Sequence, residues 1–202
     1  MKTTCPLFAL MLLATLTSSG QSAAHGGTSM EETSQSSPEN REIPRQIRHL
    51  PVASFPELPD TVVIELTRRG CMIPQTWQAH GPENVIHASL EYAGSRDWAV
   101  LCSTQGEVFL LVFFASQPGY AQTLARFRER ERMQPHGASG EPGFNWGIDP
   151  ATPAQVHQAQ AGMIPRPMLP DHDALADSHI DRNTVYHFYR NGHWILLDTP
   201  EE

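Results

Sequence analysis

The segment Asp171-His172-Asp173-Ala174-Leu175-Ala176-Asp177-Ser178-His179-Ile180-Asp181 sets two histidines among four carboxylates. Neutral imidazole and carboxylate are ligands for zinc or a similar divalent ion, which makes His172, Asp173 and His179 the candidate metal ligands. The spacing departs from a calcium loop, which requires glycine at its sixth position, and neither HExxH nor a Cys/His finger occurs. The competing reading is a short helix capped by Asp171 or Asp173 with solvated carboxylates around it, and the composition favours that reading. No cofactor is expected.

Other reactive residue types are dispersed. His157, His187 and His193 are scattered, and exposed histidine on a strand or helix is their default. The chain has neither a GxSxG nucleophile elbow nor an SxxK pair. Nothing singles out the paired carboxylates that glycoside hydrolysis would need. Without a GxGxxG or Walker loop, nucleotide binding is not expected. Trp77, Trp98, Trp146 and Trp194 could line a carbohydrate or peptide groove, but three lie in or beside expected strands, where core packing is the first expectation. No catalytic residue is assigned.

The compartment is legible at the N-terminus. Lys2, the apolar run Pro6–Leu16 and the small residues Ser22-Ala23-Ala24 read as a secretory signal peptide over residues 1–24. About eleven apolar residues are too few to cross a bilayer, and no later run of roughly eighteen follows. The mature chain is therefore expected to be secreted or periplasmic, with no integral membrane segment. Cys5 leaves with the leader, and Cys71 and Cys102 remain as a pair suited to one disulfide in an oxidising setting. Closing a loop of about thirty residues stabilises a fold by roughly 3 to 4 kcal/mol. A catalytic thiol is the rival reading, but no CxxC or activating pattern accompanies either cysteine.

The net charge of −8 argues against nucleic acid and anionic headgroups as partners, and the only lysine lies in the leader. Arg126, Arg128, Arg130 and Arg132 alternate with Glu129 and Glu131 in a pattern expected of a solvated helix face. Residues 25–56 form an expected arm: 26–42 is almost devoid of apolar side chains and reads as disordered, while 43–56 carries prolines that favour extended backbone. One globular domain, 57–199, follows.

Within that domain the sequence predicts a helix over Asp60–Arg69, capped by Asp60 and stopped by Gly70. Val85–Tyr92, Asp97–Ser103 and Val108–Phe114 are apolar runs joined by short turns, hence an antiparallel meander. The middle run is apolar on both faces and belongs at the sheet centre, with the first helix on the face of Cys102. Tyr120–Met133 is expected as a helix with Leu124 and Phe127 inward. Then come a loop over 134–143, a strand at Phe144–Ile148, a short helix at Pro153–Ala161 and a proline-rich link at Met163–Pro170. Thr184–Arg190 and His193–Leu197 flank Asn191-Gly192, a strong hairpin signal. The expected class is α+β: a small antiparallel sheet, made of a three-stranded meander plus a C-terminal hairpin, with packed helices and one disulfide.

The stretches Pro82-Glu83-Asn84-Val85-Ile86, Asp97–Ser103 and Leu110-Leu111-Val112-Phe113, with His172-Asp173-Ala174 and Tyr189-Arg190-Asn191-Gly192-His193-Trp194, resemble a class of uncharacterised secreted bacterial proteins. That resemblance implies no activity. The middle segment is also loosely similar to one FG-GAP-type repeat, but a propeller is rejected because the calcium loop and further copies are missing. Two functions follow as expectations. The favoured one is a non-enzymatic domain that binds a protein or envelope component, presenting its sheet edge or terminal hairpin. The alternative is a small extracytoplasmic hydrolase, metal-assisted through His172 and His179.

Overall fold

The run Asp97–Thr104 organises the molecule because its two apolar faces require cover on both sides. In the computed structural model, which describes residues 47–138, 140–165, 167–197 and 199, this run is strand β4. The expected leader and residues 25–46 of the expected arm lie outside the described residues.

Before β4 come β1 (His49–Pro51), β2 (Met72–Pro74) and β3 (Val85–Ala88); after it come β5 (Glu107–Phe113) and β6 (Ala121–Arg128). They form a six-stranded antiparallel sheet in the order β1-β2-β4-β5-β6, with β3 also paired to β4. Residues 47–51, assigned to the arm from sequence, thus contribute a strand, and Ile47, Val52 and Phe55 are buried beside it.

Helix α1 (Asp60–Arg68) covers one face of β4 through Val62 and Leu66, packed with Val100, Cys102, Leu111 and Phe113. Gly70, at φ +70°, reverses the chain, and the Cys71 N–H bonds back to the Leu66 carbonyl at 3.0 Å. This delivers Cys71 to Cys102 on β4, where the two form a disulfide with Cα atoms 5.1 Å apart.

The opposite face of β4 presents Ala99 and Leu101 to a second sheet. Its strands are β9 (Trp146–Ala151), β10 (Ala174–His179), β11 (Asn183–Arg190) and β12 (His193–Leu197), antiparallel in the order β12-β11-β10-β9. Trp146, Ile148 and Leu175 meet Leu101, Leu110 and Val112 in the shared core. Each fully buried side chain of this kind contributes about 1.5 to 3 kcal/mol. Helix α2 (Pro153–Ala159) packs Val156 on the outer side against Ala151, Ala174, Ala176 and Phe188. Its start is a capping box in which the Thr152 hydroxyl accepts from the Gln155 N–H. A hairpin of β7 (Met133–His136) and β8 (Glu141–Phe144) makes a third, two-stranded sheet. Asn84 ties the layers together: its buried amide donates to the carbonyls of Pro74 (2.7 Å) and Trp146 (3.2 Å) and accepts from Ile148 N–H at 3.1 Å.

This architecture corrects the expected class. Among the described residues 44% are strand and 15% helical, with three sheets and two α-helices, so the protein is mostly β rather than a helix-packed α+β fold. The largest single difference is Tyr120–Met133, expected as a helix and found as β6 followed by a 3₁₀ turn at Glu129–Arg132. The cause is a β-bulge. Leu110 pairs with Ala125 and Leu111 with Thr123, so Leu124 is an extra residue. It packs with Ala125 and Phe127 on the core, which breaks the alternation of a strand and imitates helical spacing. The expected loop 134–143 supplies β7 and the start of β8, and the acidic run at 171–181 holds β10 in place of a capped helix. The meander and the Asn191-Gly192 hairpin form as their turn residues predict, with φ of +53° and +83° at the hairpin turn.

Candidate functional site

Strand β10 decides the fate of the metal candidates. His172 precedes it, buried, with Nδ1 2.8 Å from Asp171 Oδ1 and its ring 4.4 Å from that of Phe188. The Asp173 carboxylate accepts from the Ser89 N–H at 3.0 Å, and its own N–H donates to the Ser89 carbonyl. His179 closes the strand at its other end. Six residues of near-extended chain lie between the two histidines and set them roughly 20 Å apart. The structure therefore does not bring His172 and His179 together, and among the described residues no group of three or more His, Cys, Asp or Glu is placed to hold a metal ion. His157 on α2, His187 on β11 and His193 at the start of β12 do not form one cluster either.

Two carboxylates that sequence reading passed over are buried and hydrogen-bonded. Asp97 accepts from the N–H groups of Leu90 (2.8 Å), Glu91 (2.7 Å) and Ala115 (2.8 Å) and from the Ser95 hydroxyl. Glu129 lies 2.8 Å from His49 Nε2 on β1 and accepts from the Ser103 hydroxyl on β4. Burial pushes its carboxyl up, but these hydrogen bonds outweigh burial and hold it below the ordinary carboxylate range. Both residues pin loops and edge strands to the large sheet. Their partners come from distant parts of the chain, so no local pattern marks them.

A different arrangement occupies the corner where β10 turns into β11. Asp177 accepts from the Trp146 indole N–H at 2.6 Å and lies 3.2 Å from His187 Nε2. The Arg132 guanidinium sits 3.7 Å over the Phe127 ring and 4.6 Å over Trp146. The Gln134 side-chain amide on β7 lies 2.9 Å from His179 Nε2, and with its oxygen turned to Arg182 it accepts from that guanidinium at 2.8 Å. Burial, followed by the Arg132 and Arg182 charges, holds His179 below the ordinary imidazole value. Of the four tryptophans, Trp146 is therefore both core and hydrogen-bond donor, while Trp194 stacks near Phe114 and donates to Gln122 at 3.0 Å.

Two open concavities flank these groups. One, of about 560 Å³, lies between residues 75–79 and the β7–β8 hairpin, where Trp77 and His136 stack at 4.5 Å. Gly143 closes that stack: a Cβ there would stand 2.5 Å from His136 and 2.6 Å from Trp77. The other, of about 1140 Å³, runs from His179 and Arg182 along β11 to Leu196. Its far side is β12, among the described residues an unpaired edge of the second sheet, where Ile195 is 36% and Leu196 64% exposed. No protein family, characterised protein or solved structure matches this chain.

Proposed function

We propose that the protein is an extracytoplasmic binding domain that takes an extended segment of a partner polypeptide by strand addition to β12. The observation that carries this reading is the apolar edge of the terminal hairpin, unpaired among the described residues. Next to the two-residue turn Arg190 pairs with His193, so bonded and non-bonded pairs alternate along the hairpin, and Trp194 and Leu196 turn their backbone N–H and C=O groups away from β11. An edge of this kind is a template for another strand unless proline, charge or cover blocks it, and residues 193–197 contain no proline and no carboxylate. The disulfide and the absence of a membrane-crossing helix among the described residues are compatible with a location outside the cytoplasm. The acidic net charge supports a polypeptide partner over nucleic acid.

The test is selection of a random-peptide display library on the oxidised protein, repeated on Leu196→Lys, with amide hydrogen exchange on the complexes. Expected are peptides of alternating apolar pattern that protect the Trp194 and Leu196 amides and are lost with Leu196→Lys. Peptides that bind both proteins equally and leave those amides unprotected overturn the reading.

A further inference from the structure

One face of the β7–β8 hairpin leaves a place for a ring from outside it. His136 pairs with Glu141 and Gln134 with Gly143, so strand alternation sets His136, Glu141 and Gly143 on the same face. Trp77 takes the place where Gly143 has no side chain. Its backbone N–H donates to the Phe144 carbonyl at 2.9 Å, and its indole lies within 8° of parallel to the His136 ring, 4.5 Å between centres. Because a Cβ on Gly143 would collide with both residues, the bare backbone there is a condition of the stack.

The stack is half-buried and lines the concavity of about 560 Å³ together with the exposed Arg48 and Glu141. That volume falls in the range of about 300 to 1,000 Å³ usual for small-ligand sites. Two rings already held in plane form a flat apolar platform that loses little side-chain freedom when a ligand settles on it. Polar groups with bonding capacity to spare stand around it. Among the described residues the Trp77 indole N–H, the His136 ring nitrogens and the Glu141 carboxylate have no hydrogen-bond partner, and Arg48 reaches the carbonyls of Ala79 (3.4 Å) and Gly81 (3.2 Å) through one terminal nitrogen.

One cation and one anion at the rim favour a neutral ligand whose groups both donate and accept. A pyranose has that chemistry: the C–H groups of one face lie on an aromatic ring, and the hydroxyls at its rim donate and accept together. The net charge of −8 disfavours acidic sugars. We propose that this concavity binds a neutral saccharide, with one pyranose ring stacked on the Trp77–His136 platform and its hydroxyls held by Arg48 and Glu141. The site is separate from strand addition at β12, because its groups come from the residue before β1, the segment after β2 and the β7–β8 hairpin.

An array of neutral hexose and N-acetylhexosamine oligosaccharides, probed with the intact, oxidised protein, tests this, and the tightest binder is then titrated by calorimetry. Expected are saturable binding of at least one oligosaccharide, affinity lowered about tenfold by Glu141→Ala and lost with Trp77→Ala, and no change with Leu196→Lys. Glu141 is exposed and its carboxylate has no partner among the described residues, so Glu141→Ala leaves the fold intact and decides the matter even if Trp77→Ala does not fold. Failure to bind any member of the array, or equal affinity in Glu141→Ala, overturns the proposal.

Discussion

The two larger sheets hold their most buried aspartates differently, Asp97 in one and Asp177 in the other. In the large sheet the buried carboxylate Asp97 is met chiefly by backbone N–H groups, and the α1 face is closed by a disulfide. In the small sheet the buried acid Asp177 is met by the side chains of Trp146 and His187, and among the described residues the outer strand β12 is free along one edge. Backbone donors hold an acid in one place, whereas side-chain partners can be re-engaged by a ligand. The first region makes the structure; the second leaves the edge of β12 unpaired among the described residues.

That contrast breaks most sharply at Asp97. Replacing it with alanine strands several buried N–H groups at about 1 to 3 kcal/mol each, so Asp97→Ala should cost on the order of 4 kcal/mol in urea unfolding. A loss below about 1 kcal/mol would show that the loops it gathers are held by something else. Reducing the disulfide should lower stability by roughly 3 kcal/mol, read as a fall in the urea midpoint with the slope little changed. Glu129 sharpens the comparison through pH. Its folded value lies below the unfolded one, so its contribution is present above the ordinary carboxylate range near pH 4.3 and fades as pH falls through the folded value. Glu129→Gln should therefore flatten the acid limb of a Tm-against-pH curve; an unchanged limb would remove Glu129 from the acid response. The smallest effect belongs to the open region. Leu196→Lys should alter stability by no more than about 0.5 kcal/mol while abolishing peptide capture, and a large loss of stability would mean that Leu196 is core rather than edge.

Much of the large sheet could be read from residues alone. The apolar alternation on both faces of Asp97–Thr104 placed that strand centrally, Cys71 and Cys102 paired, and Asn191-Gly192 announced its hairpin. What escaped reading did so for definite physical reasons. Bulging at Leu124 disguised a strand as a helix. Asp97 draws donors from residues 90, 91 and 115, which only the folded chain brings together. The acidic histidine run looked like a ligand set because composition ignores geometry: on an extended strand, His172 and His179 are carried to opposite ends. The corner built by Arg132, Gln134, Asp177 and His179 joins β7 to β10 across forty-odd residues, and its one sequence trace, the arginine run ending at Arg132, was assigned to solvent.

The bulge on β6 also sets where this chain tolerates a change of length. Every paired residue of β6 keeps its face through alternation, with Phe127 opposite Val108 on the core side and Arg126 opposite Phe109 on the other. Removing one residue between 125 and 128 would exchange those faces, setting an arginine in the apolar core and a phenylalanine in water. Leu124 has no opposite number on β5, so its removal would leave each pair facing as before. In a family descended from this sequence, single-residue gaps in β6 would be confined to that position.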